Sequence, residues 1–377
     1  MAETWDDWLA AEAAARESAG LTRRLAPRGP DDGLVDLAGN DYLGLSGHPR
    51  VTAAAASAAR TWGAGAGASR LVTGTLDVHV DLEERLALFT GRPAALVTST
   101  GYHANLAVVT ALADRSTLVV SDAHVHASLI DAVRLARADV VVTPHNDVAA
   151  VRAALAGAEG RRALVLTESV YSVLGDVAPL GPLAEVCARA GALLLVDEAH
   201  GVGVRGRGGR GEVHATGLAV APHVVVTATL SKSLGAQGGA VLATRAVVEH
   251  LVNRARPFIF DTALAPAATA GALAALDVLE SQPALPGVLA ARVAGLATRL
   301  GVERPAGAVL SVPMDSPAAA LAAQATIRDR GVRVGCFRPP SVPDGVSRLR
   351  VTANAGLPAA DWSRACDVVA DVVEEHR

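Results

Sequence analysis

The sequence predicts an α/β protein with a large domain built on a mainly parallel sheet and a smaller α/β domain following it. Three observations carry this reading. Between Asp77 and about Thr244, helical stretches such as DLEERLALF, NLAVVTALA and SLIDAVRLA alternate with the apolar runs AALVTS, STLVVSD, DVVVTP, RALVLTES, ALLLVDEA and HVVVTATL. These runs are rich in β-branched residues and too unbroken for a one-sided sheet, so they read as strands buried on both faces. The polar, chemically capable residues stand just after the runs, and ligands of such sheets bind beyond the carboxyl ends of the strands.

The elements follow in order. A stretch from about Asp6 to Ser18 reads as an amphipathic helix, and LTRRLAPRGPDDG after it as an arginine-bearing loop. LVDLA reads as a short strand leading into the turn-rich GNDYLGLSGHP. Past the alternating region, long Ala/Leu helices begin near Ala265 and are interrupted at SQPALPG. GAVLSVPM then reads as a strand, PAAALAAQATIRDRG as a helix, CFRPPSVPDGVSRLRVT as a loop, and the last residues as an amphipathic helix. The 377 residues thus divide into an N-terminal helix and arm over 1–38, a large domain over 39–264 and a small domain over 265–377.

Composition narrows the function. A formal charge of −4 gives no global basic footprint for nucleic acid. No stretch reaches the roughly 20 continuous apolar residues that cross a bilayer. The opening MAETWDDWLAAEAAARESAG lacks the basic and apolar regions of a signal peptide, which makes the cytoplasm the expected compartment. Cys187, Cys336 and Cys366 are far apart and odd in number, so they read as reduced thiols rather than disulfides or a CxxC metal site.

The 34 Lys and Arg residues include a single lysine, Lys232, in TLSKSLGAQGG. A GC-rich coding bias explains the arginines but not this exception. Arginine cannot shed its proton near neutral pH, whereas a desolvated lysine amine can, and then attacks carbonyls. In ALLLVDEAHGVG, Asp197 and His200 follow an apolar strand, where a carboxylate could cap a helix or bind a metal. An acid paired with a downstream lysine also suits a pyridinium aldehyde cofactor. Thr100, Gly101 and Tyr102 in TSTGYHANLAV stand at a strand-to-helix junction, where free N–H groups and the helix dipole suit a phosphate. DAHVHASL offers His124 and His126, but no third metal ligand at sensible spacing, leaving ring stacking for His126 and a structural place for His124. WGAGAGASR lacks the GK[ST] ending of a P-loop, and no GxGxxG follows the first strand, which excludes a Rossmann oxidoreductase.

The strings NDYLGLSGHP, GAGASRLVTGT, STGYHAN, DAHVHASL, TESVYSVLGDVAPL, VDEAHGVG, TLSKSLGAQGG and RPPSVPDGVSRLRVT occur in the order found in the α-oxoamine synthases, and the chain resembles that family from about Leu37 to Thr352. These are fold type I enzymes that use pyridoxal 5′-phosphate to condense an amino acid with an acyl-CoA and release carbon dioxide. The resemblance implies a PLP-dependent transferase with a mainly parallel seven-stranded sheet, acting as a homodimer with its active site at the subunit interface. Lys232 matches the Schiff-base lysine, Asp197 the partner of the pyridine nitrogen, and His126 the ring-stacking histidine. His200 and Ser172 match residues near the phenolic oxygen. Gly101, Tyr102 and Thr229 resemble the phosphate contacts, and Thr262 one donated by the second subunit, although Asp261 stands beside it where a small hydroxyl residue is expected. Arg350 matches the arginine on the amino-acid carboxylate, and Asn40, Arg338 and Arg24 fall with it on the substrate side, with Arg23 or Arg24 toward a distal acyl carboxylate. FRPPSVPDGVSRLRVT, with Arg338 before two prolines, resembles the members that join L-alanine to a pimeloyl thioester, carried by CoA or a protein, in biotin synthesis. Sister activities with glycine or serine, or a catalytically silent subunit, are the alternatives; the silent subunit would be marked by loss of the lysine.

Overall fold

The computed structural model describes residues 4–19, 21–23, 25–158, 160–339, 342 and 344–376. The chain forms two compact units, one ending at Leu34 and the other starting at Val35. In the first, Thr4 opens the helix Trp5–Ser18 with a capping box: its hydroxyl donates to the Asp7 carboxylate at 2.6 Å and accepts the Asp7 N–H at 3.2 Å. The amphipathic reading anticipates a covered face, yet no residue of this helix is buried. Trp5 and Trp8 instead meet edge to face, with ring centroids 5.7 Å apart.

The second unit is organised by a seven-stranded sheet. Its strands are β1 (Ala94–Thr98), β2 (Leu118–Asp122), β3 (Asp139–Thr143), β4 (Ala163–Glu168), β5 (Leu193–Asp197), β6 (Val224–Thr229) and β7 (Gly239–Ala243), in the order β1-β7-β6-β5-β4-β2-β3. Strand β7 runs antiparallel to both neighbours, and every other pairing is parallel. Strands β2, β4 and β7 are buried at each position, as their continuous apolar runs require. The run DVVVT departs from that expectation. It forms the edge strand β3, paired among the described residues with β2 alone, and Val140, Val141 and Val142 are 44%, 40% and 63% exposed.

Beyond Ala265 the helices Pro266–Ser281, Leu285–Leu300, Pro317–Asp329 and Ala359–Glu375 accompany an antiparallel sheet of β8 (Val309–Pro313), β9 (Gly335–Phe337) and β10 (Arg348–Thr352), ordered β9-β10-β8. The segment expected as one loop therefore carries two strands. Arg348 and Arg350 interrupt its apolar pattern, but Leu349 and Val351 are fully buried and both arginines are buried beside them. Val35–Asp36 pairs in parallel with Val332–Arg333, so the short strand predicted at LVDLA joins the carboxyl-terminal part of the chain.

Strands β2, β4, β5 and β6 end in Asp122, Glu168, Asp197 and Thr229, which puts the polar chemistry on one edge of the sheet. Asp122 is anchored there by a histidine clamp. It takes one ring nitrogen of His145 at 2.9 Å and the N–H groups of His124 and Asn146 at 2.7 Å each. The other nitrogen of His145 meets Asp176 at 2.7 Å, and the His124 ring stacks on it at 4.0 Å. Burial alone would lower the pKa of His145, but the bonds to Asp122 and Asp176 outweigh it and push the value up to about 9. A raised folded-state pKa contributes stability that is complete below the ordinary histidine range and fades as pH rises through about 9. His145→Gln should therefore lower the melting temperature most near pH 6, by the equivalent of about 2 kcal/mol for a partly solvated pair. Thermal melts from pH 6 to 10 check this; the gap between the two proteins should narrow above pH 9.

Candidate active site

Lys232 lies in the turn that follows β6, and its amine contacts a directed chain of hydrogen bonds. Lys232 Nζ is 2.8 Å from His200 Nε2, and His200 Nδ1 is 2.7 Å from the Tyr42 hydroxyl. Tyr42 donates to Asn40 Oδ1 at 3.0 Å, and Arg350 Nη2 donates to the same oxygen at 3.1 Å. Because Tyr42 spends its proton on Asn40, it accepts from His200 Nδ1–H, which leaves the Nε2 lone pair for Lys232. The protonation states agree with this direction. Burial pushes the Tyr42 hydroxyl up to about 12, and burial with Lys232 and Arg350 nearby holds His200 well below the usual histidine range, hence neutral. Burial also lowers Lys232 to about 8, against the opposing pull of Asp197 and, where it is ionised, of Glu168. About one amine in ten is then unprotonated at pH 7, against fewer than one in a thousand for a solvated lysine.

Asp197, at the end of β5, is fixed from two sides. Asn105 on the helix Gly101–Leu112 donates from Nδ2 at 2.7 Å, and the Ala199 N–H donates at 2.8 Å. Asn105 is itself oriented by Thr227, which donates to its Oδ1 at 2.6 Å, and by a second Nδ2 bond to Ser128 at 2.8 Å. His126 caps the helix Ala127–Ala136 by accepting the Ser128 N–H on Nδ1 at 3.2 Å, and burial lowers its pKa. A neutral ring with its proton on Nε2 results.

The third component is an anion cradle. Thr100 caps the helix Gly101–Leu112 by accepting the His103 N–H at 3.0 Å, leaving the N–H groups of Gly101 and Tyr102 for a ligand. Glycine is required at 101, since a Cβ there would lie 2.9 Å from Thr229 Cβ. Thr229 Oγ1 and Ser231 Oγ, 2.7 Å apart, close the other side. Together these groups line a cavity of about 270 Å³ that includes Gly101, His126, Glu168, Asp197, His200 and Lys232.

Most of the residues singled out from sequence converge here. Gly101, Tyr102, His126, Asp197, His200, Thr229 and Lys232 line the cavity, and Asn40 and Arg350 join it through Tyr42 and His200. Ser172 is placed by its carbonyl, which accepts from Arg350 Nε at 3.0 Å. Arg338 directly follows β9, the neighbour of the strand that carries Arg350. Thr262 is exposed and outside the cavity lining, bridged to Ser69, while Asp261 accepts the Ser99 hydroxyl. Arg24 lies outside the described residues, and Arg23 is an exposed residue of the N-terminal unit. His124 stacks on His145 rather than lining the cavity. Sequence reasoning missed Tyr42, Asn105, Ser128 and Glu168. Each stands inside or beside a quoted motif, but its role depends on a partner distant in the chain.

Comparison with known proteins gives a consistent result. The sequence model of the family "Aminotransferase class I and II" matches residues 32–369. The chain is 54% identical over 371 residues to the 8-amino-7-oxononanoate synthase of Mycobacterium sp. strain JLS and 55% identical over 371 residues to that of Mycolicibacterium smegmatis, covering 98% of this chain and 97% of each relative. Among solved structures, the Sphingomonas wittichii serine palmitoyltransferase superposes with a TM-score of 0.91 at 29% identity, over 100% of this chain and 99% of that one. An SPT containing PLP gives 0.90 at 31% identity over 98% of both chains. The 8-amino-7-oxononanoate synthase of Francisella tularensis gives 0.77 at 25% identity, over 92% of this chain and 99% of that one.

The cofactor is pyridoxal 5′-phosphate, and the cavity fits it: a lysine for the aldehyde, a fixed acid for the ring nitrogen and a glycine-dependent cradle for the phosphate. Mixed with pyridoxal phosphate, the cofactor-free protein should gain the absorbance of the lysine-bound cofactor faster as pH rises through about 8, the midpoint set by Lys232. Lys232→Arg should gain none. Gly101→Ala should weaken pyridoxal phosphate binding roughly tenfold or more while barely changing binding of pyridoxal, which has no phosphate; equilibrium titration of both separates the cradle from the rest of the site.

Proposed function

The chain belongs to the aminotransferase class I and II family, and on that premise we propose that it joins L-alanine to a pimeloyl thioester, releasing the thiol and carbon dioxide and forming 8-amino-7-oxononanoate for biotin synthesis. The observation that carries this reading is identity of 54–55% to 8-amino-7-oxononanoate synthases across nearly the whole of both chains. The serine palmitoyltransferase structures superpose more closely, but a backbone fit reports a fold shared across the family, and their identity is near 30%.

The residues divide the work. Arg350 receives the alanine carboxylate, for which its planar fork is suited, with Asn40 and the Ser172 carbonyl holding the fork in place. Asp197 meets the ring nitrogen, His126 covers the ring face, His200 and Ser172 stand toward the phenolic oxygen, and Gly101, Tyr102 and Thr229 take the phosphate. Bound pyridoxal phosphate supplies an electron sink for charge developing at the α-carbon. Lys232 Nζ, unprotonated, removes the α-proton of alanine. The α-carbon then bonds to the thioester carbonyl carbon, the thiolate leaves, the original carboxylate departs as carbon dioxide, and the α-carbon takes up a proton in its place. Arg338 is assigned to acyl selection.

The same reading makes the protein a cytoplasmic homodimer, with residues 39–264 as the cofactor domain and 265–377 as the smaller one. Support for the dimer comes from an exposed apolar patch around Thr262. Phe260 is 69% exposed, and Leu71 and Val72, in the turn bridged to Thr262 through Ser69, are 52% and 74% exposed. A second copy covering this patch would receive Thr262 at its phosphate cradle.

Thiol release by the holoenzyme is the test. Alanine with pimeloyl-CoA should support turnover, whereas glycine with acetyl- or succinyl-CoA and serine with palmitoyl-CoA should not; turnover only with one of the latter pairs would reassign the substrate. Arg350→Lys should raise the KM for alanine roughly tenfold or more through loss of the two-pronged carboxylate contact.

A further inference from the structure

Three adjacent parallel strands, β5, β4 and β2, end in three acids, Asp197, Glu168 and Asp122, which are 6%, 3% and 8% exposed. The outer two are well supplied with donors. Asp197 has Asn105 and the Ala199 N–H, and Asp122 has the His145 ring and two backbone N–H groups. The central acid differs. Glu168 is paired in register with Asp197, lines the cavity, and its Oε1 is buried without a hydrogen-bond partner among the described residues. Buried carboxylates side by side on paired strands do not readily both ionise, and the proton settles on the member with fewer donors. Of the groups around it, Asp197 and Asp122 oppose its charge, Lys232 and the His126 backbone favour it, and Tyr171 stays neutral. Burial, the largest influence, raises its pKa well above the usual carboxylate range.

We propose that Glu168 is a positioning residue that keeps its proton, so that the cavity floor carries one negative charge, on Asp197, and presents one O–H donor beside it. The inference rests on the reading that Asp197 meets the cofactor's ring nitrogen. Its consequence falls on Lys232. An ionised Glu168 would join Asp197 in pulling that amine toward its protonated form, emptying the unprotonated population that the reaction uses. A neutral Glu168 limits that pull while filling a buried polar position in register with Asp197.

Infrared difference spectra of the full-length protein minus its Glu168→Gln variant at pH 7 to 8, recorded both with and without cofactor, provide the first test. A protonated-carboxyl C=O band should be present in both states and lost in Glu168→Gln; if no such band belongs to Glu168, the proposal fails. The second readout is the pH midpoint of cofactor capture. Glu168→Gln, which mimics a neutral acid, should leave it in place, whereas removing an ionised carboxylate would lower it by about one pH unit or more and overturn the proposal. Glu168→Met, neutral and close in volume, stands in if the glutamine variant misfolds; failure of both to fold at pH 7 would show that the charge is required. Because the band does not depend on the cofactor, an intact band with no lysine-bound absorbance would reject the cofactor reading and leave the neutral Glu168 standing.

Discussion

An amine that is to react near neutral pH has to leave water without being left unpaired, and the site is arranged around that constraint. Lys232 meets it by bonding to His200 Nε2, which accepts only while the ring is neutral. Neutrality fixes the tautomer, the tautomer needs an acceptor at Nδ1, and Tyr42 can accept there because its own proton goes to Asn40. Arg350 completes the sequence by donating to the same Asn40 oxygen. Five residues from four separate parts of the chain therefore depend on one protonation state, which ties the amine after β6 to the arginine on β10.

The sheet topology supplies the second constraint. Strand β7 is inserted antiparallel between β1 and β6, which brings the end of β6 against the start of the helix after β1. That approach is so close that Gly101 has no room for a Cβ beside Thr229, and a Cβ on Gly239 would fall 2.3 Å from the Thr100 carbonyl. The two glycines let backbone and hydroxyl groups from non-adjacent segments converge on one anion. The helix dipole adds to them where its first N–H groups are unspent.

How much of this was legible in the sequence depended on whether a residue's role is local. The lone lysine, the acid after an apolar strand and the glycine at a strand-to-helix junction each carry their meaning in a few neighbours, and each lines the cavity. DVVVT did not reveal its edge position, because apolar content alone cannot say how many strands lie alongside. The strands within CFRPPSVPDGVSRLRVT were hidden because Arg348 and Arg350 break the apolar pattern, although both are buried. Tyr42, Asn105 and Glu168 were invisible for a different reason. Tyr42 acts through His200, 158 residues away, and Asn105 through Asp197, 92 residues away. Glu168 matters because of the strand that happens to lie beside it.

The division between arginine and lysine in this chain follows from the same physics. Arg350 is 6% exposed and close to His200 and Lys232, and arginine is the residue for such a place because a guanidinium starts from a far higher pKa than the ammonium that burial brings down to about 8 at Lys232. A fixed cation is what a carboxylate-binding position needs, since its partner stays charged until it departs as carbon dioxide. An exchangeable proton is what the neighbouring position needs. Wherever the chain requires only a positive charge it uses arginine, so the coding bias that favours arginine elsewhere stops at the one site where arginine would be chemically inert.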